Sequence, residues 1–205
     1  MDTETILKFV LIAEFSVFSA MRILYQRRAD RAGFRTVITE GRAYAVLLGL
    51  FIGYEVVTFL LYVFWPEAFA WAAVALPDWA RWAGAAPGLV ALPLFVWVHR
   101  SLRENLSATL KIKAGQSLVT AGPYRWVRHP MYTAFYLLHI AVPFMTANWF
   151  IGLTWLAGLT LVVATRVRRE EAMLEAHFGA DYRAYTSRTG MFLPRIGLLG
   201  SRRIQ

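Results

Sequence analysis

Apolar runs of bilayer-crossing length constrain this chain more than any other feature. A spanning helix needs about 20 consecutive, mostly apolar residues, and residues 5–25 supply one such run, closed at once by Gln26, Arg27 and Arg28. Residues 43–65 give a second run, and 85–98 a third that extends to either side. Residues 134–144 and 150–164 read as the two arms of a helical hairpin bent near Thr146, Ala147 and Asn148. Each arm is short alone, so short or tilted spans are expected. The first run does not read as a cleavable signal: its positive charge follows the apolar core and no small-residue cleavage site ends it. The predicted fold is therefore all-α, one integral membrane bundle of about five transmembrane helices with a cytoplasmic helical cap. Residues 1–205 are read as a single domain, its N-terminal spans in 1–98 and its chemistry in 99–205.

Composition agrees. Hydrophobic residues make up 58% of 205 and charged residues only 17%, too apolar for an ordinary soluble domain. The formal net charge of +9 is not read as a nucleic-acid footprint, because Lys and Arg cluster at the ends of apolar runs and no nucleic-acid motif accompanies them. Of 22 Lys and Arg residues, only Lys8 and Arg81 fall outside if the segment after Arg27 is cytoplasmic. The positive-inside rule then predicts an outer N-terminus, five crossings and a cytoplasmic C-terminus. Trp65, Trp71, Trp79 and Trp82 lie in the outer loop as an interfacial aromatic belt. With no cysteine, disulfides, thiol nucleophiles and cysteine metal sites are excluded.

Chemistry concentrates at the predicted cytoplasmic edge. The stretch GPYRWVRHPMY, residues 122–132, sets Arg125, Arg128 and His129 against the start of an apolar run. Pro130 suits the first turn of a helix, where a missing N–H costs nothing, so the N–H groups of Met131, Tyr132 and Thr133 are expected to face an anion. The last span continues into RVRREEAMLEAHFG, with Gly179 as C-cap and a second short helix over 180–188. There Arg166 and Glu170 share a face and Glu171 points about 100° away. Leu174, Phe178, Tyr182 and Tyr185 recur at three- and four-residue spacing as an apolar packing face.

GPYRWVRHPMY, then a short hairpin, then REEAMLEAHFGADYRAY and a late Pro194 resembles the isoprenylcysteine carboxyl methyltransferase family and its wider membrane phospholipid methyltransferase relatives. The resemblance covers roughly the last half of the chain. Upstream, LRENLS at 102–107 looks like a degraded family stretch, Arg103 standing for a glycine and Leu106 for a tryptophan. The resemblance implies an enzyme that binds S-adenosylmethionine from the cytosol and methylates a lipophilic small-molecule or lipid acceptor reached from the membrane. It implies cofactor contacts at Lys113, Gln116, Leu118, Tyr124, His129, Pro130, Tyr132 and Glu170. It assigns Arg166 and Glu171 to the acceptor, Glu171 orienting the arginine, with Arg128 as a further catalytic residue. The charges fit these roles: a carboxylate suits the helix mouth and its basic neighbours, an ammonium suits Glu170, and a sulfonium suits the faces of Tyr124 and Tyr132.

A carboxylate acceptor needs no general base, whereas a phospholipid or other amine acceptor must lose a proton, for which Glu171 is the available group. A non-catalytic scaffold or transport subunit reading anionic lipid is the remaining alternative. Glu14 and Glu55 lie inside the first two spans, where a partner such as Lys8, Arg22 or a hydroxyl is expected, or a place in an acceptor tunnel. His139 reads as a hydrogen-bonded packing residue, since His99, His129, His139 and His177 show no metal spacing. Gly49 and Gly53 permit close helix contact, within the chain or between copies. Asn105 fits a glycosylation pattern but falls on the predicted cytoplasmic side.

Overall fold

In a computed structural model, which describes residues 2–31, 42–102 and 117–195, nearly everything described is helical. Five long helices form one bundle: α1 (Thr3–Arg31), α2 (Arg42–Phe64), α3 (Asp78–Leu102), α4 (Pro130–Thr146) and α5 (Trp149–Arg188). By length and composition, α2, α3 and α5 are each able to cross a membrane. The protein is thus a multi-pass integral membrane protein, with α1 and α4 packed among these three. α3 and α4 make the most extensive pairing, and α5 returns along α4 as the second arm of the hairpin.

The hairpin bend lies where its residue types put it. Ala147 closes α4 in the left-handed conformation (φ 46°, ψ 42°), and Asn148 caps α5 by accepting the Ile151 N–H at 3.0 Å. The Asn148 amide also donates to the Phe69 carbonyl at 2.9 Å, and Val74 N–H to the Ala147 carbonyl at 2.8 Å, fastening the bend to the α2–α3 connection. Beside it, Arg81 donates to the Met145 carbonyl at 2.9 Å, a cation at the negative end of α4. The arms touch closely because residue 152 is glycine: a Cβ there would come within 2.2 Å of Pro143.

The core runs in three clusters. One joins Leu7, Leu11, Tyr62, Met145, Ile151 and Trp155; a second joins Phe18, Phe95, Ala134 and Leu138; a third joins Leu159, Val163 and Val167 of α5. Polar groups enter this interior only with specific surroundings. His139 Nε2 meets Glu55 Oε1 at 2.6 Å while its Nδ1 bonds the Phe135 carbonyl, and the Trp155 indole donates to Thr58 at 2.8 Å. Glu55 is therefore partnered by a histidine, not by the lysine, arginine or hydroxyl expected. Glu14 packs against Gly88, and neither of its buried oxygens has a hydrogen-bond partner among the described residues. The open sides of Gly49 and Gly53 touch nothing within 4 Å, so neither serves a close helix contact among the described residues.

α5 is 40 residues long and exceeds any bilayer crossing. Its second half projects beyond the bundle and bends at Gly179, whose φ of 51° with ψ of −118° is a conformation that residues with a Cβ avoid. The break and the second short helix over 180–188 fall where the pattern predicts, and the bend directs that helix back over the start of α4. Tyr182 and Tyr185 are buried there, while Leu174 and Phe178 are only half-buried. Trp65, Trp71, Trp79 and Trp82 are exposed around the opposite end, consistent with an interfacial belt.

Candidate active site

Two chain segments far apart in sequence make a small paired interface that aims the basic residues. Residues 126–129 run parallel to 189–192: Gly190 N–H donates to the Trp126 carbonyl at 3.1 Å, Arg128 N–H to Gly190 at 2.8 Å, and His129 N–H to Met191 at 3.0 Å. The turn that delivers this strip begins at Gly122, where φ is 61° and a Cβ would collide with Ser101. Thr133 ties α4 to the same segment by donating to the Phe192 carbonyl at 2.7 Å. Tyr185 OH reaches the Tyr124 carbonyl at 2.7 Å, so the helix after Gly179 also holds the turn.

The mouth of α4 has the expected proline at its first position. His129 N–H is taken by Met191, and Thr133 N–H is taken by the His129 carbonyl at 3.2 Å. This corrects the expectation for Thr133, whose N–H closes the first helical turn. Met131 and Tyr132 retain N–H groups without a backbone acceptor among the described residues.

Across from this mouth stands the rim of α5. Arg128 Nε donates to Glu171 Oε1 at 2.8 Å, its terminal nitrogen donates to the Thr189 carbonyl at 2.8 Å, and His129 Nε2 lies 3.2 Å from the same Glu171 oxygen. Tyr132 OH donates to Glu170 Oε2 at 2.9 Å. The neighbouring glutamates thus separate as the helical angle requires, Glu170 to the tyrosine and Glu171 to the arginine and histidine. Glu171 thus orients Arg128, a contact the sequence does not predict, and the Arg166 guanidinium lies 6.0 Å from the centre of the Tyr44 ring on α2.

Electrostatics follow from these contacts. The hydrogen bond from His129, followed by that from Arg128, holds the Glu171 carboxyl down at about 2 against burial, which raises it. Burial holds the Tyr124 phenol well above 10, with Glu170 and Tyr185 adding to the effect, and burial pushes Tyr185 up to about 12. Both phenols stay neutral.

The structure therefore brings together Tyr124, Arg128, His129, Pro130, Tyr132, Glu170 and Glu171, with Arg166 one turn below on α5. Leu118 is half-buried in the extended strip leading to Gly122. Lys113 and Gln116, like Arg103, Asn105 and Leu106, lie outside the described residues. Arg125 is exposed, its guanidinium 5.0 Å from the Trp126 ring centre, and takes no place in the cluster. Sequence reasoning missed Tyr44, Thr189 and Phe192. The Phe192 ring packs near His129, Tyr132 and Tyr136, and no local pattern marks it.

Residues 86–176, which include the α4 mouth and the α5 rim, match the model of the isoprenylcysteine carboxyl methyltransferase (ICMT) family. Over these residues the chain is similar to that family. Methanethiol S-methyltransferase 2 of Bradyrhizobium diazoefficiens is 30% identical over 151 residues, 67% of this chain and 56% of that protein. Protein-S-isoprenylcysteine O-methyltransferase of Schizosaccharomyces pombe is 28% identical over 109 residues, 46% of each chain. The human protein of the same name is 32% identical over 80 residues, 39% of this chain and 28% of that protein. The chain spans about half or less of the length of these relatives. The solved structure of the eukaryotic intramembrane Ras methyltransferase ICMT superimposes with a TM-score of 0.65 at 18% identity, covering 96% of this chain and 69% of that one. At that identity the likeness is one of fold.

Proposed function

We propose that this chain is an integral membrane methyltransferase that uses S-adenosylmethionine from the cytoplasmic side and methylates the carboxylate of an isoprenoid-linked or otherwise lipophilic acceptor. The observation that carries it is the convergence of the α4 mouth on the α5 rim, with contacts of 2.8 Å from Arg128 to Glu171 and 2.9 Å from Tyr132 to Glu170. The match of residues 86–176 to the family model supports the same reading. The outer N-terminus and inner C-terminus belong to this proposal and rest on the positive-inside rule.

The residues present fit the cofactor's charges. Two open N–H groups at the positive end of α4, on Met131 and Tyr132, suit its carboxylate. Glu170 suits its ammonium, and the rings of Tyr124 and Tyr132 suit a sulfonium. His129 and Pro130 set the backbone of that mouth, and Leu118 lies on the strip leading into it. Lys113 and Gln116 keep their proposed contacts by family resemblance. When bound, S-adenosylmethionine supplies an electrophilic methyl group. The chain's own part is to hold a nucleophile in line and keep water away. Arg166 binds the acceptor carboxylate, and Arg128, locked by Glu171 and the Thr189 carbonyl, presents a fixed positive charge beside it.

The state of Glu171 favours an acceptor that arrives already ionised. A carboxyl held at about 2 is a weak base and is occupied by two donors, so it is poorly suited to take a proton from an amine. The relatives named methanethiol S-methyltransferase favour a second reading, a thiol acceptor entering as its thiolate. Purified protein with methyl-labelled cofactor and carboxylate, amine and thiol acceptors distinguishes these: base-labile label identifies an ester, base-stable label an amine or thioether. Saturable S-adenosylhomocysteine binding weakened by His129→Ala and Glu170→Ala is expected. Failure to bind it at all would leave the scaffold reading.

A further inference from the structure

The short helix after Gly179 carries two buried tyrosines with opposite hydrogen-bonding. Tyr185 donates to the Tyr124 carbonyl and secures the turn. Tyr182 is just as buried, 3% exposed, yet its hydroxyl is closed to solvent and meets no hydrogen-bond partner among the described residues. The charges that act on this phenol are those of Glu171, Arg128 and Glu170, so its hydroxyl belongs electrostatically to the rim of the site. At that rim Glu171 Oε1 already takes Arg128 and His129, and Glu170 Oε2 takes Tyr132. A buried hydroxyl without a partner costs free energy that a phenylalanine of the same shape avoids. A tyrosine kept there is explained by a partner that arrives from outside the chain.

We propose that Tyr182 is a ligand-contacting residue whose O–H donates to an acceptor atom, an oxygen or ring nitrogen, of the nucleoside cofactor. The inference rests on the methyltransferase reading and adds to it a donor from the helix that closes over the site. Burial and Glu171 push the phenol well above its ordinary range, so the hydroxyl keeps its proton. Closure of the helix over the ligand then depends on Gly179, which turns the chain back, and on Tyr185, which anchors it.

The test is titration of the purified full chain with S-adenosylhomocysteine, by calorimetry, together with the thermal midpoint of the ligand-free protein. Tyr182→Phe should weaken binding about five- to tenfold, the loss of one hydrogen bond, while leaving the ligand-free midpoint equal or higher. Tyr185→Phe, which removes a bond made within the chain, should lower that midpoint. An affinity for Tyr182→Phe within twofold of the unmodified protein would overturn the inference alone. So would a fall of several degrees in its ligand-free midpoint, which marks a structural hydrogen bond instead. No saturable binding by the unmodified protein would overturn the cofactor reading and this inference with it.

Discussion

Substituting Glu171 by glutamine removes one negative charge from beneath two donors and leaves the size of the side chain unchanged. In the folded protein the carboxyl sits at about 2 against an ordinary 4.5, a gap equivalent to about 3 kcal/mol if fully realised. A quarter of the side chain is exposed, and solvent screening reduces the figure to about 1–2 kcal/mol. The sign follows from a depressed pKa: the stabilisation is complete above about 4.5 and is lost as pH falls toward 2. Glu171→Gln should therefore lower the thermal midpoint at pH 7 by about 3–6 °C. The two proteins should converge between about pH 4 and pH 2, where the native carboxyl also becomes neutral. Tryptophan fluorescence during heating in detergent, for both proteins from pH 7 to pH 3, gives the difference directly. Other carboxyls cancel in the comparison. A difference that stays constant or widens toward acid would refute the argument that Glu171 is held ionised by His129 and Arg128.

Three further outcomes test other parts of the structure. Tyr44→Leu removes the ring beside Arg166 and should raise the acceptor KM about three- to tenfold, with S-adenosylhomocysteine affinity unchanged by titration and Tyr44→Phe close to the unmodified protein. Ala147→Gly relieves a left-handed alanine and should stabilise the hairpin by about 1 kcal/mol, visible as a higher thermal midpoint. Glu55→Ala leaves His139 without its 2.6 Å partner and should cost about 3–5 kcal/mol, while joint replacement of Glu55 and His139 by leucine should recover most of the loss. Unfolding in detergent of the single and double variants measures both.

Much of this molecule is local and therefore legible from residue order alone. The apolar runs dictated helices of membrane length, because an unpaired backbone group in lipid is too costly for other open structures. Pro130 marked the start of α4, Asn148 and Ala147 marked the bend, and Gly179 marked the break in α5, since each acts on its own backbone torsions or its nearest N–H groups. Helical geometry likewise separated Glu170 from Glu171 before any contact was known.

What only the tertiary structure decided is partnership. Which cation Glu171 would hold depended on the pairing of residues 126–129 with 189–192, a register that hydrogen bonds across about 60 residues create and no periodicity announces. That pairing aims Arg128 and His129 at Glu171 and leaves Arg166 beside Tyr44, from a helix whose own sequence carries no sign of the site. Glu55 found His139 for the same reason: two buried polar groups in an apolar bundle must meet each other or remain unsatisfied. The orphan hydroxyl of Tyr182 is the reverse case, a group whose missing partner becomes evident only once its surroundings are packed.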